Sequence, residues 1–232
     1  MDFVRNVFQS LRGSKEENMS SDDGAIRKVD LKHENIIGDK LAFVLHNVFT
    51  KEECDEIIAI TEEKGYEPAM VNVGGGRQKL MTDIRNSYRC IWDTTEQAER
   101  IWQRIKKFVP EYWEGHRALG LNERLRILRY DPGQKFAPHF DGEYRRDNGE
   151  RSYITMQLYL NEGFKGGSTT FLEKWDPSSG DSVPVVPKTG SILVFQHDIL
   201  HEGSELKDGR KYTIRSDVMF TKDRYDRSED CK

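Results

Sequence analysis

Short apolar runs separated by turn residues dominate the second half of the chain. Each run has the length of one strand, and Pro, Gly, Asn or Asp residues stand between successive runs. The runs occupy residues 125–130, 153–160, 168–172, 183–186, 191–196 and 212–220. Many short strands at such intervals are typical of an antiparallel sandwich or jelly roll, and this pattern predicts one here.

A strand and a helix are predicted ahead of these runs. Residues 41–45 form a short apolar stretch of strand length. Thr50 and Glu53 then have the spacing of a capping box, which predicts a helix that begins at Thr50 and ends at Gly65. The residues expected on its buried face are Cys54, Ile57, Ile58 and Ile60.

A second strand and helix follow. Residues 85–92 alternate enough to predict a strand, and Asp93 or Thr94 can cap a helix that runs to Pro110. Its apolar face comprises Ala98, Ile101, Trp102, Ile105 and Phe108. Two helices before a strand-rich half predict an α+β fold with supporting N-terminal helices on the outside of the sheets.

The chain is predicted to form a single domain with two tails. Residues 1–34 are expected to be a flexible segment, 35–225 the folded domain and 226–232 a C-terminal tail, because the region around residues 13–25 has almost nothing to bury. The glycine run at residues 74–76 lacks the Gly-Lys-Ser/Thr ending of a P-loop. It is therefore predicted to be a mobile loop rather than a phosphate cradle.

Composition excludes several classes of protein. The 232 residues are 36% hydrophobic and 33% charged, and the net charge of −4 is spread without a basic block. Binding to nucleic acid is therefore not expected. Cys54, Cys90 and Cys231 are too few and too scattered for a disulfide framework or a Cys-rich zinc site. No apolar run approaches the length of a membrane span, so a protein of the cytoplasm or nucleus is expected, without a membrane partner. The pattern does not indicate an oligomeric state.

His139 and Asp141 are the first candidate metal ligands. In a strand, residues i and i+2 point to the same face, so an imidazole and a carboxylate can meet on one ion. His201 is the candidate third ligand, and two His with one carboxylate are typical of non-haem Fe(II) oxygenases. His197 is a rival, because it would share a helical face with His201, but residues 191–195 are predicted to be a strand. Zinc could also occupy such a site.

The order of motifs around these residues resembles a known family. Residues 129–142 contain the His139-x-Asp141 pair after a Pro/Gly turn, and residues 166–171 and 187–195 lie between it and His201, with Lys211 ten positions beyond His201. This order is similar to that of the iron- and 2-oxoglutarate-dependent dioxygenases, in particular their prolyl 4-hydroxylase-like branch. The resemblance implies a double-stranded β-helix, cupin-like core at about residues 120–221. It also implies Fe(II), with 2-oxoglutarate and O2 as co-substrates and ascorbate as a reductant.

The resemblance also implies residues that bind 2-oxoglutarate. Lys211 corresponds to the family's basic anchor for the distal carboxylate, and Tyr130 and Tyr159 resemble pocket tyrosines. On a strand, Thr213 and Arg215 share a face with Lys211, so either could contact the same co-substrate. Arg215 and Arg151 could instead contact the substrate, and Tyr130 could simply pack on its strand, so these alternatives stay open.

The expected activity is hydroxylation of a C–H bond, with a prolyl residue of a protein or peptide as the substrate that the resemblance favours. Three positions depart from relatives. Tyr212 stands where collagen-type enzymes have Trp, and Arg215 and Asp217 are charged where oxygen-sensing enzymes have apolar or aromatic residues. Another side chain or a small molecule therefore remains an alternative substrate. A non-catalytic metal-binding jelly roll and a zinc hydrolase are the rival classes.

Overall fold

The computed structural model describes residues 24–72 and 77–224, which form two helices, α1 (Lys51–Lys64) and α2 (Thr95–Ile105), and eighteen strands. A single 3-10 turn, Lys106–Phe108, follows α2. The strands are β1 (Arg27–Asp30), β2 (Ala42–His46), β3 (Glu67–Pro68), β4 (Val71–Asn72), β5 (Gln78–Lys79), β6 (Tyr88–Asp93), β7 (Tyr112–Trp113), β8 (His116–Leu121), β9 (Arg124–Tyr130), β10 (Phe136–His139), β11 (Arg151–Tyr159), β12 (Lys165–Gly166), β13 (Thr169–Leu172), β14 (Ser182–Val185), β15 (Ile192–Gln196), β16 (His201–Gly203), β17 (Leu206–Asp208) and β18 (Lys211–Phe220). The glycine run at 74–76 lies outside the described residues, as do residues 1–23 and the predicted tail at 226–232.

A large antiparallel sheet forms the frame of the molecule. Its strands follow the order β1-β2-β15-β11-β18-β9-β6-β3, with β8 paired to β18 and β7 to β8. The longest strand, β18, lies near its middle and pairs with both β11 and β9. This central position places the residues of β18 next to strands that are far away in sequence.

The large sheet is covered on both faces. On β15, Ile192 and Val194 pack into the cluster that includes both helices, whereas Leu193 and Phe195 pack into a second cluster with the smaller sheet. A strand covered on both faces is apolar at successive positions rather than alternating. That is why residues 191–196 form an unbroken apolar run.

A smaller antiparallel sheet packs against the second face. Its strand order is β10-β16-β13-β14, and Phe171 of β13 joins the same buried cluster as Phe195 of the large sheet. Short ladders β12-β17 and β4-β5 lie outside the two main sheets. Neither main sheet closes on itself, so the molecule is an α+β jelly roll built as two packed sheets with helices on the outer face, which confirms the predicted fold class.

The two helices begin where the sequence predicts. Thr50 caps α1 in a capping box with Glu53, and Gly65 ends it. Thr94, rather than Asp93, caps α2, because its hydroxyl accepts a hydrogen bond from the Gln97 N–H. Neither helix within the described ranges has the length and apolar character of a membrane span.

Three details differ from the sequence-based predictions. Ile60 is exposed, because Thr61, one turn after Ile57, takes the buried position of α1 instead. The helical segment after Thr94 changes to a 3-10 turn at Lys106, so α2 itself ends at Ile105. Residues 27–30, inside the segment expected to be flexible, form β1 and pair in full with β2. The folded sheet therefore begins before residue 35.

Candidate active site

His139 and His201 face each other across the smaller sheet. His139 ends β10 and His201 begins β16, and the two are direct partners in the antiparallel ladder, with ring centroids 4.3 Å apart. The Nδ1 atom of each ring lies within hydrogen-bonding distance of a backbone carbonyl, His139 to Ala137 at 2.8 Å and His201 to Ile199 at 2.9 Å. Such bonds assign the proton to Nδ1 and leave both Nε2 atoms free as ligands.

Asp141 follows β10 and turns its carboxylate towards both imidazoles. Its backbone N–H donates to the His197 carbonyl at 3.1 Å, which fixes the chain just beyond the end of the strand. The carboxylate oxygens lie 3.9 Å from His139 Nε2 and 3.8 Å from His201 Nε2. Thr155 Oγ1 donates to Oδ2 at 2.5 Å, and Arg215 Nη2 lies 2.9 Å from Oδ1. Both oxygens are thus oriented by neighbours, as is usual for a ligating carboxylate.

These three side chains fit a divalent metal. One ligand atom from each lies within 4.8 Å of the others. Burial, together with the charge of His201, lowers the pKa of His139 to about 3, and burial also lowers the pKa of His201. Burial alone would raise the pKa of Asp141, but Arg215 and the imidazoles outweigh it and lower that pKa. Neutral imidazoles and an ionised carboxylate are the forms that bind metal, and this N,N,O donor set suits Fe(II) with open positions.

A cavity of about 660 Å³ opens beside the three ligands and reaches Lys211. Lys211 is 2% exposed, and its Nζ donates to the Gly167 carbonyl at 2.6 Å. No carboxylate of the described residues lies within ion-pair distance of this ammonium group, and burial lowers its pKa to about 7. A buried cation without a counter-charge is costly, so the site fits a ligand carboxylate such as that of 2-oxoglutarate.

The two predicted pocket tyrosines have different positions. Tyr130 is the ladder partner of Lys211 on β9, and it lines the cavity with its ring centroid 5.1 Å from the Lys211 Nζ. Tyr159 is fully buried behind the cavity wall, and its hydroxyl donates to Thr169 Oγ1 at 2.9 Å. Tyr130 therefore borders the cavity, whereas Tyr159 lies outside its wall and contacts Lys211 and Thr169.

Thr213 and Arg215 also differ in their position relative to the cavity. The Thr213 hydroxyl donates to the Leu158 carbonyl at 2.8 Å, and the residue is not part of the cavity wall. The hydroxyl donor of Thr213 is thus directed to the backbone of β11 rather than to the cavity. Arg215 does line the cavity, but it contacts Asp141 and Asp217 rather than the surroundings of Lys211.

Arg151 and His197 lie outside the cavity wall. Arg151 Nε lies 3.6 Å from Glu143, a residue at the cavity mouth, so Arg151 acts on the cavity only through that partner. The His197 ring lies 3.6 Å from Asp217 Oδ1 and does not join the three candidate ligands.

Several cavity residues were not predicted as site residues. Arg85, Arg126, Gln157 and Asp217 all line the cavity, and of these only the charge of Asp217 stood out in the sequence. Arg126 is the ladder partner of Arg215, and its Nη1 lies 3.2 Å from Asp217 Oδ2. The alternation of β9 could have placed Arg126 on the same face as Tyr130, but only the strand register shows that this face is the cavity wall.

The cavity mouth has an aromatic rim. Phe140 and Trp175 meet edge to face with ring centroids 5.4 Å apart, and they are 48% and 61% exposed. Both line the cavity. Two large exposed rings at a cavity that also contains charged side chains form an apolar contact surface for whatever enters it.

Comparison with known proteins agrees with this geometry. Residues 125–216 match the family described as the 2OG-Fe(II) oxygenase superfamily. Prolyl 4-hydroxylase 1 of Arabidopsis thaliana is 26% identical over an alignment of 240 positions, which covers 89% of this chain and 82% of that protein. Probable prolyl 4-hydroxylase 11 of the same plant is 31% identical over 169 residues, covering 66% of this chain and 55% of that relative. The chain thus spans little more than half the length of the second relative.

Solved structures show the same fold. A viral collagen prolyl hydroxylase from Paramecium bursaria Chlorella virus-1, in complex with 2OG, superposes with a TM-score of 0.57 at 19% identity, covering 80% of this chain and 99% of that one. A Trichoplax adhaerens prolyl hydroxylase, in complex with a hypoxia inducible factor peptide, gives 0.54 at 13% identity, covering 84% of each chain. Residues 125–216 thus match the 2OG-Fe(II) oxygenase superfamily, in agreement with the His-Asp-His cluster, and the solved prolyl hydroxylases share the fold of this chain.

Proposed function

We propose that the protein is an Fe(II)- and 2-oxoglutarate-dependent dioxygenase that hydroxylates a prolyl residue of a protein or peptide. The observation that supports this most directly is the convergence of His139, Asp141 and His201 with the buried Lys211 on one cavity. In the overall reaction, one oxygen atom of O2 enters the new hydroxyl group and the other enters succinate, with release of CO2 from 2-oxoglutarate.

Each residue has a role in this proposal. His139, Asp141 and His201 would hold the iron, which supplies the oxidising chemistry at the C–H bond when O2 and 2-oxoglutarate are present. Lys211 binds the distal carboxylate of 2-oxoglutarate, and Tyr130 borders the same end of the cavity. Thr155 and Arg215 orient Asp141. The buried positions of Asp141 and His201 limit the access of water to the reacting carbon.

A peptide is favoured over a small molecule by the aromatic rim. Phe140 and Trp175 lie at the cavity mouth, where the residues flanking a bound prolyl residue would pass. A small substrate enclosed in the cavity would not need an exposed apolar surface outside it. The similar proteins, which are prolyl hydroxylases of Arabidopsis thaliana, a virus and Trichoplax adhaerens, support the same substrate class.

Binding of the metal and co-substrate is tested by anaerobic titration. Adding Fe(II) and then 2-oxoglutarate to the metal-free protein should give a visible charge-transfer band. The band should be absent in His139→Ala, and in Lys211→Ala it should require at least about tenfold more 2-oxoglutarate because the distal carboxylate loses its ionic partner. Lys165→Ala, which removes an exposed lysine, is the matched control. Tight zinc binding without any such band would favour the metal-binding module or the zinc hydrolase.

The substrate is tested with proline-containing peptides. Incubation with Fe(II), 2-oxoglutarate and ascorbate should add 16 Da to a prolyl residue, and Trp175→Ala should raise the peptide KM about fivefold without changing the KM for 2-oxoglutarate. Trp175→Phe should restore much of the affinity, and Val186→Ala, an exposed apolar change outside the cavity wall, should have no effect. Succinate formation without modification of any prolyl peptide would point to another side chain or a small molecule.

Two further parts of the proposal rest on the resemblance and the composition. Ascorbate is proposed as the reductant that keeps the iron in the Fe(II) state, as in relatives. The cytoplasm or nucleus is proposed as the location, because a reducing compartment suits both Fe(II) and the buried free thiols of Cys54 and Cys90.

A further inference from the structure

The cavity wall contains more positive charge than the expected ligands use. Charged side chains of both signs line it, the cations being Arg85, Arg89, Arg126, Lys211 and Arg215 and the anions Asp141, Glu143, Glu202 and Asp217. Of these charged groups, Lys211 faces the co-substrate and Asp141 faces the metal. Three more already have partners within the protein. Arg89 pairs with Glu67, Glu143 with Arg145, and Glu202 accepts a hydrogen bond from Ser204. That leaves three arginines of the cavity wall, Arg85, Arg126 and Arg215, and one further carboxylate, Asp217, which contacts Arg126 and Arg215.

Arg85 has no acidic partner. Its Nε donates to Ser87 Oγ at 3.2 Å, and its Cζ lies 4.6 Å from the ring centroid of Phe136. That ring in turn stacks on the candidate ligand His139, with centroids 3.7 Å apart. Within residues 24–72 and 77–224, no carboxylate lies within ion-pair distance of the Arg85 guanidinium. The group is therefore held beside the metal site by a hydroxyl and an aromatic face, with its charge not neutralised.

Arg126 and Arg215 are directly opposed across β9 and β18. Two like charges at such a position repel each other unless an anion lies between them. Asp217 supplies one, at 3.2 Å from Arg126 and 3.1 Å from Arg215, and Arg215 also contacts Asp141. Burial lowers the pKa of Arg85 and of Arg126, whereas for Arg215 two adjacent carboxylates outweigh burial and raise the pKa. Of the three arginines, Arg85 and Arg126 are thus the two whose positive charge is less completely neutralised by nearby carboxylates.

We propose that Arg85 and Arg126 form an anion subsite that binds a substrate carboxylate, so that the preferred substrate is an acidic peptide with Asp or Glu next to the hydroxylated residue. This inference rests on the proposed function and deepens it. The guanidinium groups offer planar pairs of N–H donors that match a carboxylate, and the half-buried wall makes such bonds stronger than they are on an open surface. Arg215 stays with Asp141 and Asp217 and holds Arg126 in place through Asp217.

The subsite accounts for charges that the chemistry itself does not need. A proline ring is neutral, and neither the metal ligands nor the lysine anchor needs three arginines nearby. The aromatic rim, Phe140 and Trp175, lies outside the arginines at the mouth. The segment that fits this arrangement therefore combines an acidic residue inside the cavity with an apolar residue resting on the rim.

The test uses pairs of blocked, fluorescein-labelled peptides that contain one proline and differ only in a neighbouring Glu or Gln. Fluorescence anisotropy with the Mn(II)- and 2-oxoglutarate-loaded protein measures binding, and mass spectrometry after reaction with the Fe(II) enzyme measures the 16 Da gain. The Glu peptide should bind about tenfold more tightly than its Gln twin. Arg85→Gln and Arg126→Gln should each reduce that preference. The Arg85→Glu variant should instead bind most tightly the peptide that has Lys at the same position. Arg117→Glu, the same charge reversal at an exposed position outside the cavity wall, should leave it unchanged.

The arginine variants should bind 2-oxoglutarate as tightly as the wild type does. A variant that loses this affinity has failed to fold and does not test the subsite. Equal binding of the Glu and Gln peptides, or equal preferences in Arg85→Gln and the wild type, would overturn the subsite. If the Gln peptide bound as tightly and gained 16 Da as fast as the Glu peptide, prolyl hydroxylation would stand without acidic specificity. If the Glu peptide bound selectively but no proline were modified, the subsite would stand and the substrate residue would be a different one.

Discussion

At the scale of single residues, Lys211 shows how the site is prepared for its co-substrate. The ammonium group is almost completely buried, donates to the Gly167 carbonyl alone among the residues that the structure describes, and lies near the rings of Tyr130 and Tyr159. None of these groups offers a full negative charge. The protein therefore bears an electrostatic cost that a bound carboxylate removes, which makes binding of the ligand selective for an anion.

This arrangement predicts that binding of 2-oxoglutarate depends on pH. Burial lowers the pKa of Lys211 to about 7 in the ligand-free protein, and a bound carboxylate favours the charged form and raises it. Binding above pH 7 must therefore take up a proton, so the Kd should increase by up to about tenfold per pH unit between pH 7 and 8.5. Below pH 7 the lysine is already charged and the Kd should level off.

Isothermal titration calorimetry of the Mn(II)-loaded protein measures this dependence, and buffers of different ionisation enthalpy report the proton uptake directly. In Lys211→Arg the cation stays charged throughout, so the pH dependence should disappear even if the affinity is lower. Lys165→Arg, at an exposed position, should behave like the wild type. A wild-type Kd that stays constant from pH 6 to 8.5 would mean that Lys211 is not the group that binds the carboxylate.

At the scale of elements, one side chain joins the start of α1 to α2. Glu53 accepts a hydrogen bond from the Thr50 N–H at 2.9 Å within the capping box. The same carboxylate accepts from Arg100 at 2.6 Å and from Arg104 at 2.6 and 2.8 Å. The two helices that cover the outer face of the large sheet are therefore connected by a half-buried ionic network as well as by apolar packing.

Glu53→Ala should lower the free energy of unfolding by about 2 kcal/mol at pH 7, since it removes a cap and a paired charge together. The hydrogen bond from Arg104 is the largest cause that lowers the pKa of Glu53 to about 2 from an ordinary 4.5. The stabilisation should therefore be complete above pH 4.5 and decrease as the pH falls from 4.5 towards 2. Urea unfolding at pH 7 and pH 3 measures the difference, with Glu52→Ala, an exposed neighbour, as the control. Equal effects of the two substitutions at pH 7 would show that the network adds no stability.

At the scale of the whole molecule, the jelly roll gathers residues from distant parts of the chain onto one cavity. β10 and β16 of the smaller sheet hold the two histidines, whereas β9 and β18 of the large sheet hold Tyr130, Lys211, Arg126 and Arg215. The two histidine ligands and the carboxylate anchor Lys211 therefore belong to different sheets. The packing of one sheet on the other therefore sets the distance between the metal and the carboxylate anchor.

Part of this architecture follows from local pattern. The apolar runs that predict strands correspond to β9, β11, β13, β14, β15 and β18, and β15, which is covered on both faces, is apolar at successive positions. The capping box at Thr50 and the left-handed Gly65 at the end of α1 depend only on neighbours along the chain. β1 was not recognised, because Arg27–Asp30 is polar and is a strand only through its ladder with β2.

The sequence by itself determined the candidate chemistry: His139 and Asp141 two residues apart, His201 and Lys211 ten residues apart, and the motif order of the family. Such features depend on side-chain type and local spacing, which the chain specifies directly. Only the tertiary structure decided which further residues reach the cavity. It placed Arg126 opposite Arg215, brought Arg85 to Phe136, and directed the Thr213 and Tyr159 hydroxyls to other partners. These outcomes depend on strand register and sheet packing, which are set by contacts between residues far apart in the chain.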